Sequence, residues 1–123
     1  VRALLIVAAL AGDAGAKAPP VPPAPMRPFA SFAAAMQGLR PVAARYVPGL
    51  GVLWHIDSSF RTVVVLVDAH GVWRTDIVVE LPDFESKLEV VYAGGEPAFR
   101  LRAHTQKTEY ALQCTRDHFC REL

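Results

Sequence analysis

The chain has 123 residues, 52% of them hydrophobic and 20% charged, with 13 Lys+Arg against 12 Asp+Glu. That composition excludes a disordered chain, which combines low hydrophobicity with high net charge. The balance of charge also excludes the strongly basic surface of a nucleic-acid binder, and the length limits the chain to one domain.

The chain opens in the order of a secretory signal peptide. Arg2 is followed by the apolar run of residues 3–11 and then by the small-residue stretch of residues 12–18, matching a positive n-region, a short h-region and an A-x-A cleavage site. The sites Ala14-Gly15-Ala16 and Ala16-Lys17-Ala18 overlap. Cleavage is expected after Ala16, because a cut after Ala18 would leave Pro19 beside the scissile bond. The apolar run is about half of the ~20 residues that span a bilayer. Residues 1–16 therefore read as a removed leader, and the mature chain is expected in the periplasm or secreted, with no transmembrane segment.

Residues 17–28 carry six of the ten prolines. They read as a short polyproline arm that joins neither helix nor sheet. From residue 29 to 123 a single domain is expected. Phe29, Phe32, Ala33, Met36 and Leu39 recur at helical spacing, Gly38 suits a helix C-terminus, and Pro41 suits the start of a second helical segment running to Tyr46. Beyond Gly51 the period becomes two. Residues 52–57 and 62–67 are rich in β-branched and aromatic residues, and the second run is apolar on both faces, as a central strand is. Asp68-Ala69-His70-Gly71 is a tight turn leading to a partner strand over residues 72–81. Residues 88–92 and 98–103 form a second hairpin through Gly94-Gly95. Tyr110, Leu112 and Cys114 alternate as a last strand. Phe99, Leu101 and Ala103 should face the core, with Arg100, Arg102 and His104 facing water. The expected fold is α+β: a broken N-terminal helix packed on an antiparallel meander sheet of five or six strands.

Cys114 and Cys120 are six positions apart in a chain that reads as exported, which favours a disulfide. On one continuous helix their Cα atoms would lie roughly 9 Å apart, beyond the ~7 Å reach of a bridge. The bridge therefore requires a turn, and residues 115–118 supply suitable residues. The alternative is metal binding by Cys114, His118 and Cys120, which lacks the C-x2-C spacing of zinc sites.

No residue set announces catalysis, and no cofactor or metal is implied. Ser58, Ser59 and Ser86 lack a G-x-S-x-G context, and Gly94-Gly95 belongs to a hairpin and not to a phosphate loop. Trp54 and Trp73 read as packing residues. The stripe Arg100, Arg102, His104 and Lys107 is the candidate binding face, its charge balanced in part by Glu89 and Glu109. The leading expectation is a small exported protein that binds another protein or a ligand, as an inhibitor, immunity or envelope-accessory factor does. The alternative is a small hydrolase or metal-dependent enzyme using His55, Asp57 and His70; His55 and Asp57, two apart on a strand, share a face.

A helix followed by an antiparallel meander, over roughly residues 29–114, resembles the cystatin and monellin architecture in element order. That resemblance implies an inhibitor or binding domain. The Q-x-V-x-G inhibitory loop of cystatins is absent from this chain, so protease inhibition is not implied.

Overall fold

The computed structural model describes residues 22–40 and 43–123. Its elements in chain order are β1 (Ala24–Pro25), β2 (Arg27–Phe29), the helical turn α1 (Phe32–Ala35), β3 (Ala43–Val47), β4 (Gly51–Ser58), β5 (Arg61–Asp68), β6 (Gly71–Val78), β7 (Glu85–Ala93), β8 (Glu96–His104), β9 (Glu109–Cys114) and β10 (Phe119–Glu122). They make two five-stranded antiparallel sheets, ordered β1-β10-β9-β8-β7 and β2-β6-β5-β4-β3. Each sheet is a four-stranded meander with one short N-terminal strand added at an edge, and the chain changes sheets twice, at Met26 between β1 and β2 and again between Val78 and Glu85.

This corrects the α+β expectation. The fold is mostly β, and what covers the main core is a second sheet. The only helix among the described residues has four residues, with the Ser31 hydroxyl accepting from the Ala34 N–H at 3.0 Å. A single turn fixes several residues for few hydrogen bonds, so a run fenced by proline before it and Gly38 after it does not propagate. Residues 43–46, expected to be helical, lie in β3 along the edge of β4. The resemblance to the cystatin and monellin architecture falls with the helix that carried it.

The strands from Gly51 to Cys114 follow their sequence pattern. Leu53, Val64, Leu66 and Ile77 from one sheet meet Phe99, Leu101, Ala103 and Cys114 from the other in a single buried cluster. The expected division of β8 holds, with Phe99, Leu101 and Ala103 fully buried. β5 is buried on both sides: Val63 and Val65 turn away from the sandwich and pack against Ile56, Ala35 and Met36, with Phe29, Phe32, Leu39 and Trp54 around them. Full burial of each such Val, Leu or Phe side chain contributes about 1.5–3 kcal/mol before entropy is counted.

The proline-rich segment also departs from expectation. Ala24–Pro25 pairs with β10, and Arg27–Phe29 pairs with β6, so the segment straps the two sheets together along one side. Met26, between the two strands, is 2% exposed and donates its N–H to the His118 carbonyl at 2.7 Å. Proline is compatible with this because each strap strand sits at a sheet edge, where one ladder partner suffices. The expected leader, residues 17–21 of the arm, and Pro41 with Val42 lie outside the described residues. Among the described residues, no helix is long and apolar enough to cross a membrane.

Candidate functional site

The alternation of β4 does place His55 and Asp57 on one face, and that face looks into the sandwich near its β7 edge. Thr62 of β5, which is fully buried, and Ser86 of β7 complete a polar cluster across the two sheets. Ser86 Oγ donates to the Asp57 carboxylate (2.6 and 2.7 Å), and Thr62 Oγ1 donates to Asp57 Oδ1 at 2.7 Å. His55 Nε2 stands 3.0 Å from Ser86 Oγ and 3.1 Å from Thr62 Oγ1. The hydroxyls of Ser86 and Thr62 thus both reach Asp57, and the His55 ring nitrogen lies within hydrogen-bond distance of both. The cluster is a satisfied polar tie between sheets.

His70 does not join it. It lies at the far end of β5, six residues beyond Val64, the partner of His55, which is about 20 Å along a strand. There it belongs to a second constellation. Asp68 heads the β5–β6 turn and accepts from the N–H groups of His70 (2.8 Å) and Gly71 (3.1 Å) and from Trp73 Nε1 (3.3 Å). His118 reaches over from the β9–β10 turn to pair with Asp68 (Nε2 to Oδ2, 2.5 Å), with its ring stacked on Trp73 at 3.8 Å. Burial by itself would raise the Asp68 pKa. The hydrogen bond and charge of His118, with the donors from His70 and Trp73, outweigh it and hold Asp68 below its ordinary 3.8. The side chains of His118 and Asp68 are 13% and 10% exposed, so this contact latches one sheet to the other.

His118 is held there by the expected disulfide. Cys114 and Cys120 face each other across the β9–β10 ladder and are bonded, with Cα atoms 4.0 Å apart. Their oxidation removes the thiolates that a Cys114, His118 and Cys120 metal site would need.

The stripe Arg100, Arg102 and His104 lies on the outer face of the β8 sheet, with Lys107 in the following loop. Its charges meet partners there: Arg100 donates to Gln113 at 2.7 Å, Arg102 reaches Glu89 (3.2 Å) and Glu109 (3.4 Å), and His104 stands 3.5 Å from Glu85. Such exposed pairs contribute about 0–1 kcal/mol each. The counter-charges come from the strands on either side, as the register Glu89↔Arg100 and His104↔Glu109 requires.

A surface that the sequence did not announce lies where the strap ends. β2 covers β6 only from Val72 to Arg74, so on the side away from β5 no strand among the described residues lies along β6 from Thr75 to Val78. Opposite this edge, the ladder of β10 on β9 runs from Cys114 to Leu112 and ends with the Leu123 N–H donating to the Ala111 carbonyl. The gap between them is a groove of about 730 Å³, with Ile77, Val78, Tyr110 and Leu112 along it. Val78 is 70% exposed and Leu123 58% exposed. Its lining includes the acidic residues Asp76, Glu80, Glu109 and Glu122 and no Lys, Arg or His. No family model, curated protein or solved structure matches the chain.

Proposed function

We propose that this chain is a small exported binding protein that acts by holding a segment of another polypeptide, and that its working surface is the groove between β6 and β9. The observation that carries this reading is the groove itself: the exposed Val78 and the half-buried Tyr110 and Leu112 beside a stretch of β6 that, among the described residues, no strand covers on that side. The basic stripe is a weaker candidate for the same role, because neighbouring strands already supply carboxylates to Arg102 and His104. The polar cluster around Ser86 supports an inter-sheet tie, because the Ser86 and Thr62 hydroxyls reach the Asp57 carboxylate from the two sheets. Export accords with the leader pattern and with the Cys114–Cys120 disulfide.

A photo-crosslinking residue at Val78, with Lys87 on the outer face of β7 as control, tests the proposal in an extract of secreted and envelope proteins. Discrete adducts from Val78 and none from Lys87 support it. Ester or peptide turnover that disappears in Ser86→Ala, or equal labelling from both positions, overturns it.

A further inference from the structure

We infer that the occupant of the groove is an extended, cationic segment of a partner polypeptide, added to β6 as an extra strand. This rests on the binding reading above and goes further by naming the partner's chemistry and its mode of attachment.

The backbone argument comes first. β6 is paired along its whole length with β5, but on its other side the strap accompanies it only to Arg74. The strap then turns at Met26 towards β10. An antiparallel strand with one uncovered side presents unpaired N–H and C=O groups, and an extended peptide satisfies them without requiring any rearrangement of the sheet. The molecule already uses this edge in the same way, because β2 is a three-residue segment held there in ladder register. A partner strand would continue the row that β2 begins.

The side chains then select the partner. Four acidic residues and no Lys, Arg or His line the groove. Asp76 is held between Arg74 and Arg61, Glu109 reaches Arg102, and Glu122 is engaged as well. Among the described residues Glu80 has no such partner, and it is exposed. The exposed Val78 and the half-buried Tyr110 and Leu112 offer apolar contact between these charges. Side chains of a strand alternate between faces, so a peptide alternating Lys or Arg with Val or Leu matches both features at once. An acidic strand would meet Glu80 as a like charge, and a neutral one would leave it uncompensated.

The test uses the full chain and an acetylated (Lys-Val)5 peptide, with (Glu-Val)5 and a (Lys-Val)5 peptide N-methylated at alternate residues as controls. Fluorescence anisotropy reads affinity, and amide exchange followed by NMR reads the edge. The expected result is salt-sensitive binding of (Lys-Val)5, slowed exchange over residues 75–78, and loss of binding on N-methylation. Glu80→Lys should weaken binding roughly tenfold without unfolding the protein, since its site is exposed. Equal binding of (Glu-Val)5, binding that leaves exchange over residues 75–78 unchanged, or no binding at all overturns the inference. If Val78 adducts persist under any of these results, the binding reading stands and only strand addition fails. If the adducts are absent as well, both fall.

Discussion

Replacing His118 by alanine tests how the two sheets are held together. The substitution removes the hydrogen bond to Asp68 and the stack on Trp73 at 3.8 Å. A hydrogen bond to a charged group contributes about 1.5–3 kcal/mol and an aromatic stack about 0.5–1.5. Asp68 keeps its bonds from His70, Gly71 and Trp73, so it is not stranded, and the expected loss is about 2–4 kcal/mol. Urea unfolding at neutral pH under oxidising conditions, followed by tryptophan fluorescence, measures this directly. Asp68→Asn supplies the pH arm. The folded pKa of Asp68 lies below 3.8, so its stabilising contribution is complete above that value and is lost as pH falls through the lower, folded pKa. Wild type should therefore exceed Asp68→Asn at pH 5, and the gap should close as the pH drops below 3.8 towards the folded value. A His118→Ala variant within about 0.5 kcal/mol of wild type would refute the latch, as would a gap to Asp68→Asn that does not change with pH.

Three further outcomes follow from other contacts. Gly51 has φ +138°, and a Cβ there would lie 2.5 Å from the Val67 carbonyl oxygen, so Gly51→Ala should lower stability by at least about 2 kcal/mol in the same assay. Arg74 is 6% exposed, grips Asp76 through two bonds of 2.8 Å and donates to the Ala35 carbonyl at 2.9 Å. Arg74→Ala should therefore cost about 2–4 kcal/mol and speed amide exchange at Ala35 and Met36, whereas Arg102→Ala should cost less than about 1. Reducing the Cys114–Cys120 bridge opens a loop of about seven residues, worth about 2 kcal/mol by loop-closure entropy. It should also lower the amplitude of the Asp68→Asn effect, because the turn that seats His118 loosens.

The parts of the fold that were legible share one property: each strand carries its own signal. Residues 62–67 are β-branched or leucine throughout, and only a strand covered on both faces accommodates that, as β5 is. The alternation of Phe99, Leu101 and Ala103 with Arg100, Arg102 and His104 needed no tertiary knowledge. By contrast, β1 and β2 contain Pro25 and Pro28, which lower strand propensity and are tolerated only because those strands are edges, a fact visible only once their partners are in place. The helical spacing of Phe29, Phe32, Met36 and Leu39 was real as an apolar stripe. It packs on the outer face of β5, but with one turn of helix and a bend at Gly38. Nothing local distinguishes one sheet from two, because strands with one buried face suit either. The switches lie at Met26 and in the stretch between Val78 and Glu85.

The candidate site was legible to the same degree. His55 and Asp57 share a face by strand geometry, but Ser86 lies on the other sheet, 29 positions from Asp57, and its role depends on how the sheets stack. The sequence offered His70 and His118 for two separate sites, the first beside His55 and Asp57 and the second beside Cys114 and Cys120. Only the second is brought onto Asp68, because the disulfide folds residues 115–118 back over the β5–β6 turn. The groove depends on an absence of pairing along β6, which is a property of topology.

The most direct measurement is a competition. Val78 carrying the photo-crosslinker captures the partner while (Lys-Val)5 is titrated in. Binding through the groove requires adduct yield to fall in step with peptide occupancy. An adduct yield that is unchanged at saturating peptide would contradict it.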